Sequence, residues 1–75
     1  MDIETLLEYR KWVKREYVAP ITCPGHPAFE MIPYVGDQGL MLVCPTFDYE
    51  REVSLTEYKN IQHAVAQAER KFLES

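Results

Sequence analysis

The sequence predicts a single small domain of the α+β class, ordered helix–β-hairpin–helix. Three observations carry that prediction. Both ends of the 75-residue chain place apolar residues at helical spacing. Between them, two runs rich in aromatic and branched residues flank the turn signal Gly36-Asp37-Gln38-Gly39. Boundaries are marked by Pro20 on one side and, on the other, by Ser54 with Glu57 three residues later, a capping box. The expected layout is a helical segment over 1–17, a hairpin region over 18–53 and a second helix over 54–75.

In the first segment Asp2 can cap the helix and Glu4 favours its positive end. Ile3, Leu6, Leu7, Val13 and Tyr17 form the apolar stripe, with Trp12 beside it, and predict a helix from Asp2 to Tyr17. Its polar side carries Arg10, Lys11, Lys14 and Arg15 around Trp12. That pattern reads as a solvated face with local pairs such as Glu8–Lys11. A phosphate-binding face is the alternative, and it finds no supporting cations elsewhere.

Val18 to Ala28 carries Pro20, Pro24, Gly25 and Pro27, which predicts a tight irregular loop. Phe29–Val35 and Leu40–Val43 then read as two strands, with Val35 facing Leu40 across the turn. Pro33 places the first of them at a sheet edge. Both hairpin faces are apolar, and a two-stranded ribbon is not stable alone, so the helices are expected to cover it. In the second helix Leu55, Tyr58, Ile61, Val65, Ala68 and Phe72 recur at spacings of mostly three and four. This stripe packs within the chain or leaves room for a homodimer.

Composition limits the function classes. A chain this short has a marginal core and leans on a metal, a disulfide, a partner or very good packing. The 47% apolar content argues for a folded globule. Net charge is −4, and Val18 to Phe47 contains no Lys or Arg, which argues against nucleic-acid binding. Met1-Asp2-Ile3-Glu4 lacks the regions of a signal peptide, and no run reaches the ~20 apolar residues of a membrane span. A cytoplasmic location is the expectation, with the two cysteines as thiols or ligands rather than a disulfide.

Those cysteines sit in matching corners, Cys23-Pro24-Gly25-His26 and Cys44-Pro45-Thr46-Phe47, followed by Asp48. Zinc needs donors converging tetrahedrally at ~2.0–2.3 Å, and a proline-shaped turn aims two side chains at one point. Cys23, His26 and Cys44 are three such donors. Asp48 is the first choice for the fourth because it follows directly in the chain. His63 or a water are the alternatives, and a metal-free reading takes the cysteines as small buried hydrophobes. In the hairpin register Met31 falls opposite Cys44, so His26 to Ala28 must fold back for the corners to meet.

From Thr22 to Arg51 the chain resembles a zinc ribbon, in which two such knuckles flank a hairpin. Phe47 stands where the family places its fourth ligand. The resemblance implies a structural zinc or its metal-free remnant, in an interaction module such as the accessory proteins of phages and prokaryotes. No convergent catalytic set is evident, so a non-enzymatic, protein-binding role is expected. Tyr9, Trp12 and Tyr49 are the candidate interface aromatics. Alternatives are a nucleic-acid-binding ribbon and a zinc enzyme with an open metal position.

Overall fold

A computed structural model describes residues 1–74. It has two helices and two small antiparallel sheets in the order helix, strands, helix. α1 spans Ile3–Lys14, and the Asp2 carboxylate caps it by accepting the Glu4 N–H at 3.0 Å. Leu6 and Trp12 form its buried side, while Leu7 is exposed.

The helix stops before the expected Tyr17, and proline is not what stops it. The Glu16 N–H donates to Val13 C=O and the Tyr17 N–H to Trp12 C=O, both at 3.0 Å. This is a Schellman ending, with Glu16 in the left-handed region at φ 64°. The accompanying apolar contact is the edge-to-face pair Trp12–Tyr17, centroids 5.3 Å apart.

The stretch expected to be loop and then one long strand is divided differently. β1 (Thr22–Cys23) and β2 (His26–Glu30) form a first two-stranded sheet, with Cys23 opposite His26. The chain then breaks at Met31, whose N–H donates to Ile21 C=O at 2.8 Å and whose side chain is 1% exposed. The change of direction therefore falls at Met31, not over His26 to Ala28 as expected, because those residues pair with β1 as part of β2.

β3 (Ile32–Gly36), β4 (Gly39–Val43) and β5 (Glu50–Glu52) form the second sheet in that order. Val35 faces Leu40 as the sequence indicates, and Pro33 lies on the edge strand β3. Gly39, at φ 116°, supplies the conformation that closes the turn. β5 is a further edge made of Glu50-Arg51-Glu52, too charged and short for its sequence to announce a strand.

Strand alternation divides this sheet into two unlike faces. Pro33, Leu40 and Leu42 point inward and are buried, and Val53 just beyond β5 joins them. Ile32, Tyr34, Met41 and Val43 point the other way with Glu50 and Glu52. The helices therefore cover one hairpin face, where the sequence led us to expect cover on both.

α2 spans Leu55–Glu74, and the Ser54 hydroxyl accepts the Glu57 N–H at 3.1 Å. The Glu57 carboxylate is engaged by Arg51 in a two-pronged pair of 2.5 and 2.6 Å. Tyr58, Ile61, Val65 and Ala68 are buried in the common core, and Leu55 is exposed outside the stripe. The Tyr58 hydroxyl accepts the Asp2 N–H at 3.0 Å and lies 3.0 Å from the Thr5 hydroxyl. At the other end Phe72 packs on Trp12 and Tyr17. Start meets start and end meets end, so α1 and α2 run parallel and the strands carry the chain back between them.

Candidate metal centre

The two Cys-Pro corners meet. Cys23 ends β1, His26 opens β2, Cys44 follows β4, and Asp48 lies in the loop before β5. Their donor atoms all lie within 4.8 Å of one another, close enough to hold a metal ion. His26 Nδ1 is 3.9 Å from Cys23 Sγ, 3.7 Å from Cys44 Sγ and 3.9 Å from an Asp48 carboxylate oxygen. A regular tetrahedron with zinc-length arms has edges of about 3.3–3.8 Å. The three separations at His26 are already near that size. His63 lies exposed on α2, outside the cluster.

Each corner is shaped locally. Backbone N–H groups of Gly25 and His26 point at Cys23 Sγ and stabilise its thiolate form. In the second corner the Phe47 N–H donates to Cys44 C=O at 2.7 Å, and the Cys44 N–H to Tyr49 C=O at 2.8 Å. Phe47 adopts φ 61°, which turns the chain so that Asp48, one residue later, faces the cluster. Phe47 itself, where a zinc ribbon would carry a ligand, is 79% exposed.

Burial and exposure grade across the site. Cys23 and Cys44 are 2% and 0% exposed, whereas the His26 and Asp48 side chains are 38% and 57% exposed. Burial and the neighbouring Cys44 push the Cys23 thiol up. Burial also works against Cys44, but hydrogen bonds from the Thr46 hydroxyl and backbone, and from Cys23 and His26, bring it below the ordinary thiol value. The Thr46 hydroxyl, followed by the charge of His26, lowers the Asp48 carboxyl against a partial desolvation.

Thr46 is the residue that sequence reasoning passed over. Its hydroxyl lies 3.1 Å from Cys44 Sγ and donates to Asp48 at 2.5 Å. One hydroxyl proton serves either the thiolate or the carboxylate, not both. A cation among the donors relieves that competition, and the hydroxyl then orients the ligands from outside. The signal available beforehand was a Thr between two donors, a common residue for such a corner (residues 44–48) but not a diagnostic one.

The expected interface aromatics divide. Trp12 is 3% exposed, a correction to its expected place on an outer face. Tyr17 and Phe72 pack on its ring while Lys11 and Arg15 sit over it, so it cannot stack on a base or a partner. Its indole N–H is buried with no hydrogen-bond partner among the described residues. Tyr9 packs against the core, and its hydroxyl donates to Ala19 C=O at 2.5 Å, pinning the loop after α1. Tyr49 is exposed beside the metal-site loop.

No helix among the described residues is long and apolar enough to cross a membrane. No family model, no curated protein and no solved structure matches the chain.

Proposed function

We propose that the chain is a small, non-enzymatic protein-interaction module whose two sheets are stapled by one structural zinc ion on Cys23, His26, Cys44 and Asp48. The observation that carries this reading is the convergence of four donors from two separate sheets within 4.8 Å. Two thiolates, an imidazole and a carboxylate suit zinc, and four protein donors make a closed tetrahedral site. A closed site is a staple, because no position remains for an activated water. The sheets share no strand pairing, so a cross-tie at this point has mechanical meaning.

The test is metal analysis of protein purified without added metal, paired with thermal melting in the presence and absence of chelator. Stoichiometric zinc and a large fall in Tm on chelation are expected. Metal-free protein with two freely titrating thiols and an unchanged melt would overturn the staple.

A further inference from the structure

The uncovered face of the β3–β4–β5 sheet combines three features that its structural role does not use. It is apolar where Ile32, Tyr34, Val43 and Phe47 line a shallow depression together with Glu50. Phe47 is held there at φ 61°, a conformation costing a residue with a side chain about 1–2 kcal/mol. It nonetheless presents its ring to solvent, 79% exposed. The third feature is charge. Glu52 shares this face through its pairing with Met41, and Glu50 accepts the Tyr34 hydroxyl at 2.6 Å, which raises the Tyr34 pKa.

Among the described residues neither Glu50 nor Glu52 is paired with a cation. Arg51, between them in sequence, points to the opposite face and is taken by Glu57. With no Lys or Arg between Val18 and Phe47, and Arg51 turned away, no cation among the described residues pairs with this negative rim.

We infer that this face docks an apolar segment of another protein that carries Lys or Arg beside its apolar side chains. The chemistry selects that occupant. Apolar side chains fill the depression around Phe47, and cations meet Glu50 and Glu52 at its rim. A second copy placed face to face would oppose these carboxylates to themselves, which disfavours self-association here. The inference rests on the interaction-module reading. It also gives the zinc a task, since the metal-site loop holds Phe47 in place.

The experiment selects random displayed peptides on zinc-loaded full-length protein, with Phe47→Ser and Glu52→Lys proteins as counter-targets. Both positions are exposed, and zinc content and circular dichroism confirm that each variant is folded. Enriched peptides are expected to alternate Leu, Ile or Phe with Lys or Arg. Their affinity should fall by about tenfold or more on either substitution and weaken with salt. Selection of acidic peptides, of none above background, or of peptides indifferent to Phe47→Ser would overturn the inference. So would a concentration-dependent dimer in sedimentation that Phe47→Ser abolishes, because a second copy would then be the occupant. These failures leave zinc content untouched, whereas failure of the staple appears as protein without zinc.

Discussion

The helical half and the strand half of this molecule share one hydrocarbon core, but only the strand half adds a convergence of polar donors. α1 and α2 contribute Leu6, Trp12, Tyr58, Ile61, Val65 and Ala68 to a hydrocarbon core that Met31, Leu40, Leu42 and Val53 of the strand region share. The ribbon half places two sheets side by side without pairing them, and four polar donors converge at the joint. The inner sheet face is apolar as well, with Met31, Leu40, Leu42 and Val53 buried, but each strand is short and a two-stranded sheet such as β1–β2 is not stable alone. The lesson is a division of labour: burial packs the helices on the inner sheet face, and the proposed metal ties the two sheets where the donors converge.

The sharpest way to break this comparison is Cys44→Ser, which removes the most buried donor. Structural zinc contributes of the order of 10 kcal/mol in small zinc-dependent domains, so loss of most of the ribbon's stability is expected. Hydrogen exchange should speed up in β1, β2 and the residue 44–49 loop well before it does in α1 and α2. Uniform acceleration across both halves would show that they do not differ in this way.

Trp12→Ala attacks the other half. A cost of about 3–5 kcal/mol is expected, with helical circular dichroism melting first. Zinc content at low temperature should be unchanged, because the ring of Trp12 packs on Tyr17 and Phe72 at the far end of the helices. Loss of zinc in this variant would mean that the halves are coupled more tightly than their contacts suggest.

Thr46→Val keeps every ligand and removes the hydroxyl beside two of them. Zinc affinity is expected to fall about 10- to 100-fold, measured by competition with a chromogenic chelator. An unchanged affinity would show that the Cys44–Asp48 corner (residues 44–48) is set by its backbone alone.

The smallest effect should be a gain. Glu16→Gly relieves the left-handed residue ending α1 and should stabilise the protein by about 1 kcal/mol in denaturant melts. Zinc affinity should not move. Destabilisation would mean that the Glu16 side chain contributes more than its strain costs.

Much of this division was legible in the residues. The caps at Asp2 and Ser54, the Val35–Leu40 register and the edge position of Pro33 follow from local chemistry, and local rules read them correctly. That Cys23, His26, Cys44 and Asp48 could come together was legible because each corner is short. What escaped depends on the assembled structure. Trp12 lies beside the stripe, yet Phe72, some 60 residues on, closes over it. β5 forms by pairing with the second edge of β4, where Leu42 lies opposite Arg51, although Glu50-Arg51-Glu52 has no strand-like pattern. The break at Met31 has no glycine or proline on either side of it, in Glu30-Met31-Ile32, to announce it. Glu16 ends α1 at a site where glycine is the usual signal.

The proposed zinc tie between the sheets is tested most directly by X-ray absorption at the zinc edge of the metal-loaded protein. Two sulfur donors near about 2.3 Å and two nitrogen or oxygen donors near about 2.0–2.1 Å are expected, from Cys23, Cys44, His26 and Asp48. Replacing Asp48 with Ala should leave both sulfurs in place and exchange one light donor for water. A shell with fewer than two sulfurs, or one that Asp48→Ala leaves unaltered in protein and water donors alike, would contradict it.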